Sequence, residues 1–329
     1  MTNTYNNVYI NDTITIAGPY EAKGPLGSYF DKSYKDLYFG EKAWELAEKK
    51  MLTNCIEMLL DKIKMKNNKI DALISGDLLN QNISSNFTAA KLGIPMIGIY
   101  AACSTSTLGL IIASNMINSG VAKNIICSVS SHNCTSEKQF RQPVEYGGPK
   151  PKRATFTVTG AASALISSKK SKIKITSSTL GTVFDAGIKD AFHMGAVMAP
   201  AAAKTIYTHL TNTKTKVSDY DLILTGDLGR YGKDILKDYM KEEYNMELNN
   251  LDDSACMIYD INNQEVYAGG SGPACIPLVT YGYILDKMRK GELKKVLMVA
   301  TGSLHSQASV NLKQTIPAVS HAICLEAIL

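Results

Sequence analysis

The sequence repeats itself. Asp71-Ala-Leu-Ile-Ser-Gly-Asp-Leu78 returns 150 residues later as Asp221-Leu-Ile-Leu-Thr-Gly-Asp-Leu228. In both copies a short apolar run ends in a hydroxyl residue, a glycine and an aspartate, the pattern of a buried strand opening into a turn. A second pair follows in the same order, 171 residues apart: Gly120-Val-Ala-Lys-Asn-Ile-Ile-Cys-Ser-Val-Ser and Gly291-Glu-Leu-Lys-Lys-Val-Leu-Met-Val-Ala-Thr. In each, a glycine closes a helix and a lysine-flanked apolar run follows, as in a strand covered on both faces. Two echoes in one order point to a duplicated α/β unit whose copies differ by insertions.

Hydrophobic periodicity fills in the elements around these echoes. It predicts strands over Val8–Ile16, Ala72–Ser75, Met96–Tyr100, Asn124–Val129, Thr155–Ile166, Ile173–Thr179, Leu222–Thr225, Ser254–Tyr259, Val296–Thr301 and Val319–Ala327. Helices are expected over Trp44–Lys64, Phe87–Lys91, Thr105–Asn118, Ala199–Leu210, Lys233–Glu243 and Ile276–Lys290. Alternating helices and buried strands argue for an α/β fold with mainly parallel central strands. The polar run Ser167-Ser-Lys-Lys-Ser-Lys172 reads as the connector between an N-terminal half (1–168) and a C-terminal half (169–329).

Composition narrows the function classes. The chain has 329 residues, 35 basic and 30 acidic, with a net charge of +5. That balance is too mild to argue for nucleic acid, and it is compatible with loose attraction to an anionic membrane surface. Seven cysteines with no CxxC spacing fit a reduced compartment rather than a disulfide framework or structural zinc. The N-terminus lacks a basic and an apolar region, so no signal peptide is expected. Residues 92–122 carry no charge but are broken by Gly93, Pro95, Gly98 and Gly109. They read as a buried strand–helix unit rather than a membrane span.

Within that unit the strand Met96–Tyr100 runs through Ala101 and Ala102 into Cys103, and a helix begins at once. A thiol there meets unpaired N–H groups and the positive helix end, which favour thiolate or a bound anion. Ser104, Thr105, Ser106 and Thr107 add hydroxyls to the same turn. The bland reading is a small buried hydrophobe, the fate of most free cysteines.

Other candidates sit at predicted strand ends, the usual ligand crevice of α/β sheets. Asp77 and Asp227 end the echoed strands, with a turn or N-cap role as the alternative. His132 follows one buried strand, and His305 follows its counterpart at the head of a long loop, residues 302–316, that could fold over the site. Arg141, in a polar loop with Glu137, Lys138 and Gln139, could grip a carboxylate with its fork. Lys150, Lys152 and Arg153 read as a solvated loop, and His321 as a satisfied core histidine.

A duplicated α/β half with a cysteine between strand and central helix resembles the thiolase and 3-oxoacyl-synthase fold. Ser131-His-Asn-Cys-Thr-Ser-Glu-Lys-Gln-Phe-Arg-Gln-Pro-Val-Glu-Tyr-Gly-Gly-Pro-Lys-Pro151, Phe156-Thr-Val-Thr-Gly-Ala-Ala162, Met194-Gly-Ala-Val-Met-Ala-Pro-Ala-Ala202, Ser320-His-Ala-Ile-Cys-Leu-Glu326 and the Cys103 segment resemble the stage V sporulation protein AD family over nearly the whole chain. The resemblance implies two similar halves related by a pseudo-twofold, in αβαβα layers. It also implies a spore former and a role in loading dipicolinic acid (pyridine-2,6-dicarboxylic acid) into the developing spore. The implied partners are membrane proteins of the same sporulation operon, and the fold family adds a homodimer. The implied place is peripheral, on the cytoplasmic side of forespore and spore membranes.

The chain departs from the enzymes of that fold where their chemistry lies. Condensing enzymes set a histidine and a second histidine or asparagine beside the cysteine, to polarise the thioester oxygen and assist proton movement. Here Thr225-Gly-Asp-Leu-Gly229 and Gly269-Gly-Ser-Gly-Pro273 occupy those places. The expectation is a binding protein that takes dipicolinate at Cys103, Ser104, Asp77, Asp227, His132, Arg141, Gly270, Ser271 and His305. No cofactor is expected, although calcium could accompany the dianion. The alternatives are an acyltransferase using Cys103 with His132 or His305 as base, and an assembly scaffold without catalysis.

Overall fold

The computed structural model describes residues 1–140 and 150–328. Ten strands carry the architecture: β1 (Tyr9–Ala17), β2 (Ala72–Gly76), β3 (Met96–Gly98), β4 (Asn124–Ser131), β5 (Gly160–Ser167), β6 (Ile173–Thr179), β7 (Leu222–Thr225), β8 (Leu251–Asp253), β9 (Lys295–Ser303) and β10 (Pro317–Ala327). Their spatial order is β8-β7-β9-β10-β6-β1-β5-β4-β2-β3. Read outward from the centre, each group of five runs first, fifth, fourth, second, third. In each, the outer three strands are mutually parallel and the fifth is antiparallel to its neighbours. The two groups touch through a short antiparallel pairing of Tyr9 and Ile10 with Lys174 and Ile173.

The helices repeat in step: α1 (Trp44–Ile63), α2 (Ile83–Leu92), α3 (Thr105–Asn118), α4 (Asn133–Phe140), α5 (Met194–Thr213), α6 (Gly229–Tyr244), α7 (residues 275–289, with a π-helical middle over Val279–Ile284) and α8 (Gln307–Asn311). Both α1 and α5 are 20 residues long, and each ends on a lysine in the left-handed conformation, Lys64 and Lys214. The apolar core divides accordingly. One cluster lies between α1, α2 and the first sheet, around Met51, Leu52, Ile56 and Leu73. A second lies between α5, α6 and the other sheet, around Met198, Ile206, Leu236 and Val299. The largest joins α3 and α7 between the sheets, around Leu110, Ile125, Ile276 and Met298. Helices outside, two sheets and a helical middle layer give the αβαβα stack. β4 and β5 are buried nearly throughout, which explains why their sequences are apolar or small rather than alternating.

The same device pins both halves at the strand starts. Asp71 accepts the backbone N–H groups of Lys123 and Asn124 at 2.7 and 2.8 Å. Asp221 accepts those of Lys294 and Lys295 at 2.6 and 2.9 Å. Each aspartate ties the start of its strand to that of the parallel neighbour.

Three local expectations are corrected. Ser254–Tyr259 is not a strand: Asp253 ends β8 and caps a short helix, Ser254–Met257, by accepting the Ala255 N–H at 3.1 Å. The expected strand over Thr155–Ile166 is two, Phe156–Thr157 on Gly270–Ser271 and then β5. The segment of Glu137, Lys138 and Gln139 is not loop but helix α4.

Replacing Asp71 with alanine should cost about 1 kcal/mol in urea unfolding at pH 7, a modest figure because the group is exposed. The Asn124 and Lys123 amides hold the Asp71 carboxyl below the usual range. Its contribution is therefore complete above about pH 4 and is lost as the pH falls through the depressed value. The gap between wild type and Asp71→Ala should close in acid; a gap that persists below pH 2 would remove the carboxylate from the explanation.

Candidate functional site

Cys103 sits where the two halves meet. Ala102, just before it, is held at φ +48°, a left-handed conformation that costs an alanine energy and turns the thiol inward. Ser104 then donates its Oγ–H across the seam to the Ala300 carbonyl of β9 at 3.0 Å. A Cβ on Gly302 would lie 2.3 Å from the Ala101 oxygen, so β9 must carry glycine there for the strand to approach this turn.

Above Cys103 opens a cavity of about 200 Å³ with a mostly carbon lining. Tyr100, Ala102 and Cys103 come from the seam; Ser136, Glu137 and Phe140 from α4; Phe192 and Met194 from the start of α5. Ser271, Gly272, Ser303 and His305 close the other side, with Gln307 and Val310 of α8. The loop from Gly302 to Ile316 thus does reach the site, and part of it is helical. The α4 wall is braced from below by Glu48, whose buried carboxyl accepts Ser130 Oγ–H at 3.0 Å and Thr135 Oγ1–H at 2.7 Å. Burial, with Asp77 next, pushes Glu48 up to about 8.

Lys150 is the single lining residue with a permanent positive charge among the described residues. Its side chain is 9% exposed, ion-paired with Glu137, and its Nζ lies 5.9 Å from the centre of the Tyr267 ring. His305 packs against Phe140 at 5.2 Å between ring centres, with Ser303 Oγ 3.5 Å from its Nδ1. Burial lowers the His305 pKa, so the ring is neutral at pH 7.

The remaining expected residues have other duties. The Cys103 thiol is pushed well up, by burial first and then by the buried Asp227 carboxyl. The helix end does not deliver a thiolate. Ser104 faces the β9 backbone and leaves no hydroxyl for an anion. Thr105 accepts the Ala101 N–H and donates to the Ala102 carbonyl. His132 is fully buried away from the cavity; Nε2–H donates to the Leu37 carbonyl at 2.8 Å and Nδ1 accepts the Cys134 N–H at 3.1 Å. Asp77 caps α2, taking the N–H groups of Leu79 and Ser85 and the Ser85 hydroxyl at 2.8–3.0 Å. Its motif partner Asp227 does not cap; that work falls to Asp253, which takes Leu228 and Gly229 N–H and Thr225 Oγ1–H. Asp227 is instead fully buried at φ +73°, beside the Gly272 backbone and the Cys275 thiol, and neither oxygen has a well-formed hydrogen bond among the described residues. Burial, then Asp253, drives its pKa well up, so it favours the neutral acid. His321 accepts the Gly181 N–H as a core histidine. Arg141 lies outside the described residues.

The two glycine-bearing segments that the resemblance sets against the condensing histidine and asparagine are tightly packed. A Cβ on Gly226 would come within 2.8 Å of Ile276 Cβ, and one on Gly270 within 3.0–3.2 Å of Ile258, Val158 and Cys275. Sequence reasoning missed Phe140, Phe192, Met194 and Tyr100, and set Lys150 aside as solvated. The missed signal is His132-to-Phe140, a strand end passing into an amphipathic turn that aims Ser136, Glu137 and Phe140 one way.

Two groups of five strands in the same order, with a cysteine between strand and central helix, define a protein of thiolase-like fold. The fold is shared with 3-oxoacyl-[acyl-carrier-protein] synthase III of Aquifex aeolicus VF5 (16% identity, TM-score 0.59, covering 97% of this chain and 99% of that one). It is also shared with cerulenin-bound OleA of Xanthomonas campestris (15% identity, TM-score 0.61, 97% of each chain). Residues 2–326 match the family model of Stage V sporulation protein AD (SpoVAD). The chain is 45% identical over 319 residues to Stage V sporulation protein AD of Bacillus subtilis (strain 168), covering 97% of this chain and 94% of that protein. It belongs to the stage V sporulation protein AD family.

Alkylation of Cys103 by iodoacetamide, followed by peptide mass spectrometry, should stay slow until well above pH 9. In Asp227→Asn the pH profile should move to lower pH, because one buried acid no longer opposes ionisation of the other. A profile identical to wild type would show that Asp227 does not control the thiol.

Proposed function

We propose that this sporulation protein binds dipicolinate in the cavity over Cys103 and supports its uptake into the developing spore, without acyl transfer. One observation carries the reading. The cysteine opens onto a small, mostly apolar cavity with a lysine in its wall, while Gly226 and Gly270, which the resemblance sets where condensing enzymes polarise the thioester, are closed in by Ile276, Ile258 and Val158. About 200 Å³ is below the roughly 300–1,000 Å³ of pockets for drug-sized ligands, and it suits a single planar ring. Phe140, Phe192 and the neutral His305 give that ring apolar walls. Lys150 would take one carboxylate by exchanging its Glu137 partner for the ligand, and Arg141 is the sequence-based choice for the other. Calcium enters this proposal only as the counter-ion of the dianion. Action at spore membranes alongside proteins of the same operon, and pairing as a homodimer, belong to the same proposal.

Calorimetry should show dipicolinate binding to wild type, with and without calcium. Lys150→Met should weaken dipicolinate about tenfold or more, the loss of one charge-assisted contact. Arg141→Ala, measured at the same ionic strength, should weaken dipicolinate far more than picolinate, which lacks the second carboxylate. Failure of wild type to bind would end the reading; variants that bind both ligands like wild type would move the clamp elsewhere.

The placement of Cys103 on the cavity wall keeps a second reading, acyl transfer with His305 as base. Incubation with short acyl-CoA thioesters and intact mass spectrometry should leave the protein unmodified. A stoichiometric adduct that vanishes in Cys103→Ala would establish the acyltransferase instead.

A further inference from the structure

β9 and β10 are antiparallel neighbours whose pairing ends at Ser303 with Ala318. Such strands need only about two residues to turn from one into the other. Here residues 304–315 intervene, and none of them is buried, although Ser303 before them and Ile316 and Ala318 after them are. The segment therefore adds nothing to the apolar core. What it reaches is the cavity, through His305, Gln307 and Val310.

Its own hydrogen bonds close on the segment itself. Val310 N–H donates to the Ser306 carbonyl at 3.0 Å, Leu312 N–H to that of Ala308 at 3.1 Å and Gln314 N–H to that of Ser309 at 3.1 Å. Ser306 Oγ accepts the Ser309 N–H at 3.2 Å, and Gln307 Nε2–H donates to Asn311 Oδ1 at 3.0 Å. Among the described residues, the hydrogen bonds to the rest of the molecule lie at the two ends. Leu304 N–H meets the Pro317 carbonyl and Ile316 N–H the Ile188 carbonyl, both at 2.8 Å. Thr315 Oγ1–H donates to Asp185 Oδ2 at 2.6 Å. Over the cavity the segment is held by packing, His305 against Phe140.

The duplication supplies the comparison. In the first half the corresponding connection, from β4 to β5, carries α4 over the cavity, and that helix is tied down along its length. Thr135 Oγ1–H is held by Glu48, Lys138 pairs with Glu45, and Gln139 Oε1 accepts the Asn80 N–H at 2.9 Å; Thr135 and Ser136 are buried. α8 buries no residue and has no such brace among the described residues. We propose that α4 is the fixed jaw of the cavity and that residues 304–315 are its lid, turning on Leu304 and Ile316 to admit a ligand and closing onto Phe140 through His305. A segment bonded within itself, joined at two neighbouring ends and burying nothing, opens as a unit at little cost to the fold. The lid controls entry of whatever the cavity takes; only in naming dipicolinate does the inference rest on the reading above.

The test begins with hydrogen–deuterium exchange of the full chain. Without ligand, the amides of Val310, Leu312 and Gln314 should exchange about tenfold or more faster than those of α4, and dipicolinate should slow them. Thr315→Val removes the tie to Asp185, and neither residue lines the cavity. That variant should speed alkylation of Cys103 by iodoacetamide at about pH 10, and both association and dissociation of dipicolinate, each about threefold with the affinity kept. Thr208→Val, which removes a hydroxyl bond of 2.7 Å on α5, should change none of these rates. A second variant, with Gly-Gly in place of residues 306–314, removes the body of the lid without touching a buried residue. It should alkylate and release dipicolinate about tenfold or more faster. Exchange in the segment as slow as in α4, or wild-type alkylation rates in the Gly-Gly variant, would overturn the lid. If wild type binds no dipicolinate, the reading of the function falls, and exchange and alkylation alone decide the lid.

Discussion

The site depends on a backbone-to-backbone meeting at the centre of the molecule. Gly302 of β9 lies so close to the Ala101 carbonyl that a methyl group would sit 2.3 Å from it, and Ser104 bridges the gap to Ala300. Neither side of that contact is a flexible side chain, so neither can relax. The contact locks the end of one half's strand onto the start of the other half's central helix. Ala102 is bent to φ +48° to fit, and Cys103 is delivered to the seam. The cavity, its α4 wall and the loop carrying His305 are arranged around a point that the duplication itself creates.

At that point two electrostatic effects compete for the thiol. A helix N-terminus favours an anion by roughly 0.3–1 kcal/mol, at most about 2. Burial disfavours it by up to about 3–5 pKa units, and each unit is about 1.4 kcal/mol. Burial wins, and the neighbouring Asp227 adds to it. Enzymes that run acyl transfer from such a cysteine need groups that offset this cost. The same fold is left with a small cavity open to solvent, a neutral thiol and a lysine ammonium paired with Glu137 in its wall.

How much of this was legible in the sequence depended on the range of the forces involved. The echoed Gly-Asp-Leu strand ends, the lysine-flanked runs and the Cys103 turn are local patterns, and they foretold the duplicated α/β architecture and the seam. The fate of individual side chains was not local. Asp77 and Asp227 are indistinguishable by motif, yet one caps α2 and the other is buried without a capping role, because Asp253 arrives from a neighbouring strand to do the capping. His132 stands at the correct strand end, but the Leu37 carbonyl, 95 residues away in sequence, claims its ring. Lys150 reads as a loop cation until α4 brings Glu137 to it. Ser254–Tyr259 has the composition of a strand, and a single aspartate cap makes its first turn helical.

The central claim is that the cavity over Cys103 is a carboxylate-binding slot. It is tested most directly by a crystal structure of the protein with dipicolinate. The account predicts the ring between Phe140 and His305, one carboxylate within hydrogen-bonding distance of Lys150 Nζ, and an unmodified thiol on Cys103. Density for the ligand at another site, or a covalent bond to the Cys103 sulfur, would contradict it.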